Sequence, residues 1–138
     1  MRTFYIFKIN HDLSILMSEI PYNLYRALEG IYLLNKDSIS YGKDLLDQLI
    51  IPFDKNELNK EIYEINKDND FYTKVGDIHT IYNKYRDETT KISVKHSHIL
   101  LETNTISQNV KNFLPNNNLF ACDFVNKDYF WLSKLIHI

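Results

Sequence analysis

Thr3-Phe4-Tyr5-Ile6-Phe7-Lys8-Ile9 sits near the start of the chain and is dense in aromatic and β-branched side chains, the make-up of a β-strand. Successive side chains of a strand point to opposite faces. Tyr5, Phe7 and Ile9 therefore share one face, and Phe4, Ile6 and Lys8 share the other. Both faces are largely apolar, so this segment is expected to be a central strand, covered on at least one side. The rest of the chain has to supply its neighbours and its cover.

Helical cover is legible downstream. Pro21 opens a helix, because its missing N–H is not needed at the first helical position. Leu24, Tyr25, Leu28, Ile31 and Tyr32 then fall at helical spacing. Gly30 marks either a close contact or the approach of the helix end. A second helix is expected from Ser40 to Ile50, with Leu45 and Leu49 in register and Pro52 behind it. Asp54 followed by Glu57 reads as a capping box and starts a third helix, with Leu58, Ile62 and Ile65 on one stripe. Between the first strand and Pro21, Asn10-His11-Asp12 reads as a turn. Leu13, Ile15, Leu16, Met17 and Ile20 form an apolar cluster without clean periodicity.

More strands follow. Ile78 to Tyr82 leans towards a strand. Ile92 to Thr103 reads as a hairpin with His96-Ser97 at its tip, and Leu119 to Val125 with Tyr129 to Leu132 as another across Asn126-Lys127-Asp128. A last helix is expected from Thr105 to Leu114, with Ile106 and Val110 inward. With three Gly and three Pro in 138 residues, no flexible linker divides the chain. The expectation is a single α+β domain over residues 1–138, a mainly antiparallel sheet with helices packed against it.

Composition narrows the function. Sixteen basic and eighteen acidic residues give a net charge of -2, whereas a phosphate-binding groove shows a basic surplus. Direct nucleic-acid binding is not expected. One cysteine, Cys122, makes neither an internal disulfide nor a thiolate zinc site. The first apolar run is broken by Lys8, and none approaches the ~18–20 residues of a membrane span. A cytoplasmic protein with no membrane contact is expected.

Catalytic motifs are absent. There is no Gly-x-Ser-x-Gly elbow, no Gly-rich phosphate loop and no His-Glu-x-x-His. Cys122 lies among apolar residues, away from the cationic setting of a reactive thiolate. His96 and His98, two apart, would share a face on a strand, and with Glu102 they are the one candidate metal set; a polar hairpin tip is the preferred reading. His79 is expected to be exposed or half-buried on an amphipathic element, and His11 and His137 lie in a turn and at the terminus. Asp123, between Cys122 and Phe124, must face water or find a donor, and a structural acceptor role is expected. No catalytic residue, cofactor or metal site is assigned. The excess of tyrosine is compatible with a protein-binding surface.

The most specific stretch is C-terminal: Phe120-Ala121-Cys122-Asp123-Phe124, four residues, then Tyr129-Phe130-Trp131-Leu132. It resembles the closing segment of the SirA family, the sporulation inhibitors of replication, which end in Ala-x-Asp-Phe, four residues, then Tyr-x-Trp-Leu. The aromatic first strand ending in Lys8, the helix after Pro52 and the late hairpin resemble that family in the same order. The resemblance implies an inhibitor of replication initiation that binds the N-terminal domain of the initiator DnaA. It implies a contact surface on the segment after the first strand and nearby helices: Leu13, Leu16, Met17, Tyr22 and Tyr25, with Gln48 as a polar contact. Asp123, Tyr129 and Trp131 are assigned to folding, and a monomer is expected. The alternatives are a module of the same fold with a different replication or cell-cycle partner, and a metal-dependent enzyme using His96 and His98.

Overall fold

A computed structural model describes residues 1–34, 39–105, 112–115 and 118–132. The first strand, β1 (Arg2–Lys8), is followed by four helices: α1 (His11–Met17), α2 (Pro21–Tyr32), α3 (Ile39–Leu49) and α4 (Lys55–Asn66). Six strands complete the described elements: β2 (Tyr72–Val75), β3 (Ile78–Asn83), β4 (Glu88–Val94), β5 (Ile99–Thr103), β6 (Leu119–Asp123) and β7 (Asp128–Trp131). They form one antiparallel sheet in the order β2-β3-β4-β5-β1-β6-β7. This is an α+β fold. The strand that begins the chain lies inside the sheet, between two strands from its second half.

The alternation read in β1 divides two cores. Phe4 and Ile6 join Leu58 and Ile62 of α4, with Ile92, Val94, Ile99 and Leu101 from the late hairpin. Phe7 and Ile9 face the other way, onto Leu24, Tyr25 and Leu28 of α2, with Phe120, Cys122 and Trp131. Burying one such side chain stabilises by roughly 1.5–3 kcal/mol, and β1 contributes to both layers.

Local chemistry sets the helix starts. Asn10, expected in a turn, caps α1: its side chain accepts from the Asp12 N–H at 3.1 Å. A seven-residue helix makes barely two turns, too few to show a period, which is why Leu13 to Met17 read as irregular. Asp54 accepts from the Glu57 N–H at 3.2 Å and starts α4 as the capping pattern predicts. The expected α4 stripe is corrected at its end. Leu58, Ile62 and Asn66 face inward at steps of four, and Ile65 is exposed. Asn66 is tolerated because its amide donates to the carbonyls of Ile62 and Phe113. Gly30 has open space around it, so no close contact explains it. Gly42 does mark one, since a Cβ there would meet Leu34 Cδ1 at 3.0 Å. The Thr105–Leu114 helix, with Ile106 and Val110, falls largely outside the described residues. Leu114 is buried in the first core.

Asp123 ties the C-terminal hairpin to the first strand. One oxygen accepts from the backbone N–H groups of Val125 and Asn126, closing the β6–β7 turn. The other accepts from Arg2 Nε at 2.9 Å and Asn126 Nδ2 at 2.7 Å. Arg2 also reaches Asp128 at 2.7 Å. Burial alone would raise the Asp123 pKa; the bonds from Asn126 and Arg2 outweigh it and hold the carboxyl below its ordinary range.

A depressed carboxylate supplies stability that is full above its unfolded pKa and is lost as pH falls through the folded one. Asp123→Ala should destabilise by about 3 kcal/mol at neutral pH, near the low end for a broken buried pair because the Arg2 side chain is 34% exposed. The loss of wild-type stability below about pH 4 should shrink in this variant. Denaturant unfolding across pH checks both outcomes.

Candidate functional site

α1 and α2 meet at a corner whose inner side is core and whose outer side is apolar and open. Leu13 and Met17 are half-buried and pack against the second core. Ile15 and Leu16, between them, are 62% and 71% exposed. Ile20 and Tyr22, around the start of α2, are 46% and 54% exposed. Scattered exposed apolar residues are ordinary, and it is large contiguous patches that mark interaction surfaces. Here four large side chains within eight residues of sequence face solvent.

The corner is held from below. The Asn10 N–H donates to the Leu49 carbonyl at 2.9 Å, and the Ile51 N–H to the Lys8 carbonyl at 2.8 Å. The end of α3 is thereby fixed beside the start of α1. Gln48, one residue before Leu49, is exposed there. Tyr22 leans on Tyr129 at 6.3 Å between ring centroids. The side chains proposed for binding thus divide. Leu16, Tyr22 and Gln48 are on the surface, and Leu13 and Met17 are shared between surface and core.

Tyr25 is a correction. It is 3% exposed, its ring stacks on Tyr129 at 4.8 Å, and its hydroxyl donates to Glu29 at 2.9 Å. Burial and that bond push its pKa up. Helical spacing puts Tyr25 one residue from Leu24 on the inward stripe, so it is a core residue and not a contact for a partner.

Asp123, Tyr129 and Trp131 stand where a folding role requires. Asp123 and Trp131 are buried, and Tyr129 stacks between α2 and Phe120. Cys122 is fully buried, and burial raises its thiol pKa, so its surroundings do not activate it.

The histidines of the late hairpin fall at its tip, and His79 departs from expectation. His96 and His98 lie in the turn between β4 and β5, not along a strand, so the shared face is lost. His96 is exposed, while His98 packs against Tyr5 and Phe7 at 5.2 and 5.9 Å and bonds Ser97 at 2.8 Å. No group of three or more His, Cys, Asp or Glu comes together among the described residues. His137 lies outside them. His79 is fully buried, a second correction. Tyr72 Oη lies 2.7 Å from its Nδ1, and Asn59 Oδ1 2.8 Å from its Nε2. No periodicity signals this, since the partner on α4 is twenty residues away.

Burial, then Lys74 across the ladder, lowers the pKa of His79, with Asp77 pulling the other way; burial and Lys95 lower His98. A histidine depressed by folding leaves stability intact above its unfolded value and removes it as pH falls below. Unfolding free energy should therefore decline as pH drops below about 6.5. His79→Gln should cost about 1–3 kcal/mol at neutral pH and flatten part of that decline, read by chemical denaturation at a series of pH values.

No helix among the described residues is long and apolar enough to cross a membrane. No protein-family model matches the chain, and no curated protein matches it.

Proposed function

We propose that this protein is a protein-binding regulator that inhibits replication initiation by covering a patch on the N-terminal domain of the initiator DnaA. The observation that carries the binding reading is the exposed apolar corner of Ile15, Leu16, Ile20 and Tyr22 beside Gln48. The partner comes from the resemblance of the C-terminal hairpin and first strand to the SirA family.

The mechanism needs no bond making. A specific interface buries about 800 Å² per partner, and a few aromatic or aliphatic anchors carry most of its energy. Leu16 and Tyr22 supply such anchors. Both sit on helices whose inner sides are packed, so little ordering is needed on binding. Occupying a face of DnaA denies that face to other contacts.

Calorimetric titration of the full chain against the N-terminal domain of DnaA from the same organism tests this. Micromolar or tighter binding is expected, weakened about tenfold or more by Leu16→Ala and by Tyr22→Ala, the loss of ~1.4 kcal/mol or more that defines an anchor. Tyr25→Ala is unsuitable as a probe because it opens the core. Binding indifferent to both changes would keep the partner and move the surface. No binding at high concentration would overturn DnaA as the partner and favour a different replication or cell-cycle protein.

A further inference from the structure

A second feature lies on the opposite side of the sheet, where α4 meets the β2–β3 hairpin. A cleft of about 280 Å³ opens there, lined by Asn56, Asn59, Lys60, Tyr63, Lys74 and Asp77. That is just under the roughly 300–1,000 Å³ of ligand sites, room for a small metabolite only.

The floor of the cleft is built, not incidental. Asn59 is 5% exposed, yet it lines the opening. Its Oδ1 faces His79 Nε2, and His79 Nδ1 faces the Tyr72 hydroxyl. A phenol is the better donor of the two, so Tyr72 donates to Nδ1, and Nε2–H donates to Asn59. Both ring nitrogens are then satisfied, and the amide is held in one orientation. Its oxygen is committed to the interior, and its NH₂ group has no partner among the described residues. That nitrogen is not among the buried atoms left without a partner, so it reaches solvent in the cleft, where a ligand can accept from it.

The cations follow from register. Lys74 pairs directly with His79 in the β2–β3 ladder, so both lie on the face that meets α4. Lys60 follows Asn59 on α4. Neither lysine has an ion pair among the described residues, whereas Lys67, at the C-terminal end of α4, is paired with Glu64 at 2.7 Å. Two unpaired ammonium groups, an oriented amide and the Tyr63 hydroxyl make a donor-rich cleft, and charge-assisted bonds to such donors are the strong ones. Asp77 at the turn is the single acid in the lining and suits a hydroxyl or amine on the same ligand.

We propose that the cleft between α4 and the β2–β3 hairpin binds a small metabolite through a carboxylate or phosphate group, held by Asn59, Lys60 and Lys74. The site is separate from the α1–α2 corner, and its occupation ties the hairpin to α4.

The test is a titration of the full chain, followed by ¹H–¹⁵N spectra, with inorganic phosphate in one arm and succinate in another, against sodium chloride at matched ionic strength. Saturating shifts centred on Asn59, Lys60, Lys74 and Asp77 are expected in at least one arm. Saturation with phosphate alone assigns a phosphate ester, and with succinate alone a carboxylate. The exposed double change Lys60→Gln, Lys74→Gln should raise the half-saturation concentration about tenfold or more, the effect of losing one charged hydrogen bond, with the remaining spectrum unchanged. Shifts that follow the salt control, fail to saturate, or persist at full strength in the double variant would overturn the site.

Discussion

The burial of β1 on both faces is the constraint on which the rest of the structure depends. Phe4 and Ile6 enter one core and Phe7 and Ile9 the other, so neither core closes without this strand. Its partners, β5 and β6, come from residues 99–103 and 119–123. Every contact in those two ladders is long-range, and the loop entropy must be lost before they form. The fold is therefore completed only when the second half of the chain is in place. The Arg2–Asp123 pair joins the same two parts of the sequence at the end of the sheet.

The helices on the two faces have different tasks. On one face α4 lies over the late hairpin; its inward Asn66 donates to the carbonyls of Ile62 and Phe113, and Asn59 bonds His79 through its oxygen. On the other, α1 and α2 pack over β6 and β7 through an aromatic row. Tyr25 stacks on Tyr129, Tyr32 stacks on Phe124 at 4.4 Å, and Tyr5 meets Tyr32 and Phe124 at 5.3 and 5.5 Å. Such pairs contribute beyond the area they bury. They fill the inner side of α2, and Ile20 and Tyr22 are left on its outer side.

Cover on that second face is partial. Along β3 and β4 burial alternates: His79, Ile81, Thr90, Ile92 and Val94 are buried, while Ile78, Thr80, Tyr82, Lys91 and Ser93 are not. Half the sheet is thus two-sided in its packing and half one-sided. An antiparallel sheet tolerates this because one of its faces can meet water. The apolar corner and the donor-rich cleft lie on opposite faces, each beside a helix anchored by core residues.

The sequence by itself determined the elements whose signals are local. The two-faced first strand, Pro21 at a helix start, the Asp54 cap, the late hairpins and the acceptor role of Asp123 are all readable from neighbours a few residues apart. The α+β class followed from them. What depended on distant partners was decided only by tertiary structure. Tyr25 and Tyr22 share a short helix, yet Tyr129 and Phe124 place one in the core and leave the other in solvent. His79 looks like any polar residue on an alternating strand, and it is buried only because Asn59 and Tyr72 satisfy its nitrogens. His98 sits in the β4–β5 turn beside His96, yet only its packing against Tyr5 and Phe7 takes it partly out of solvent. Asn10 looks like a turn residue and becomes a helix cap, because the same side-chain bond to a backbone N–H serves either use, and the packing of Leu13 and Met17 onto the second core selects the helix.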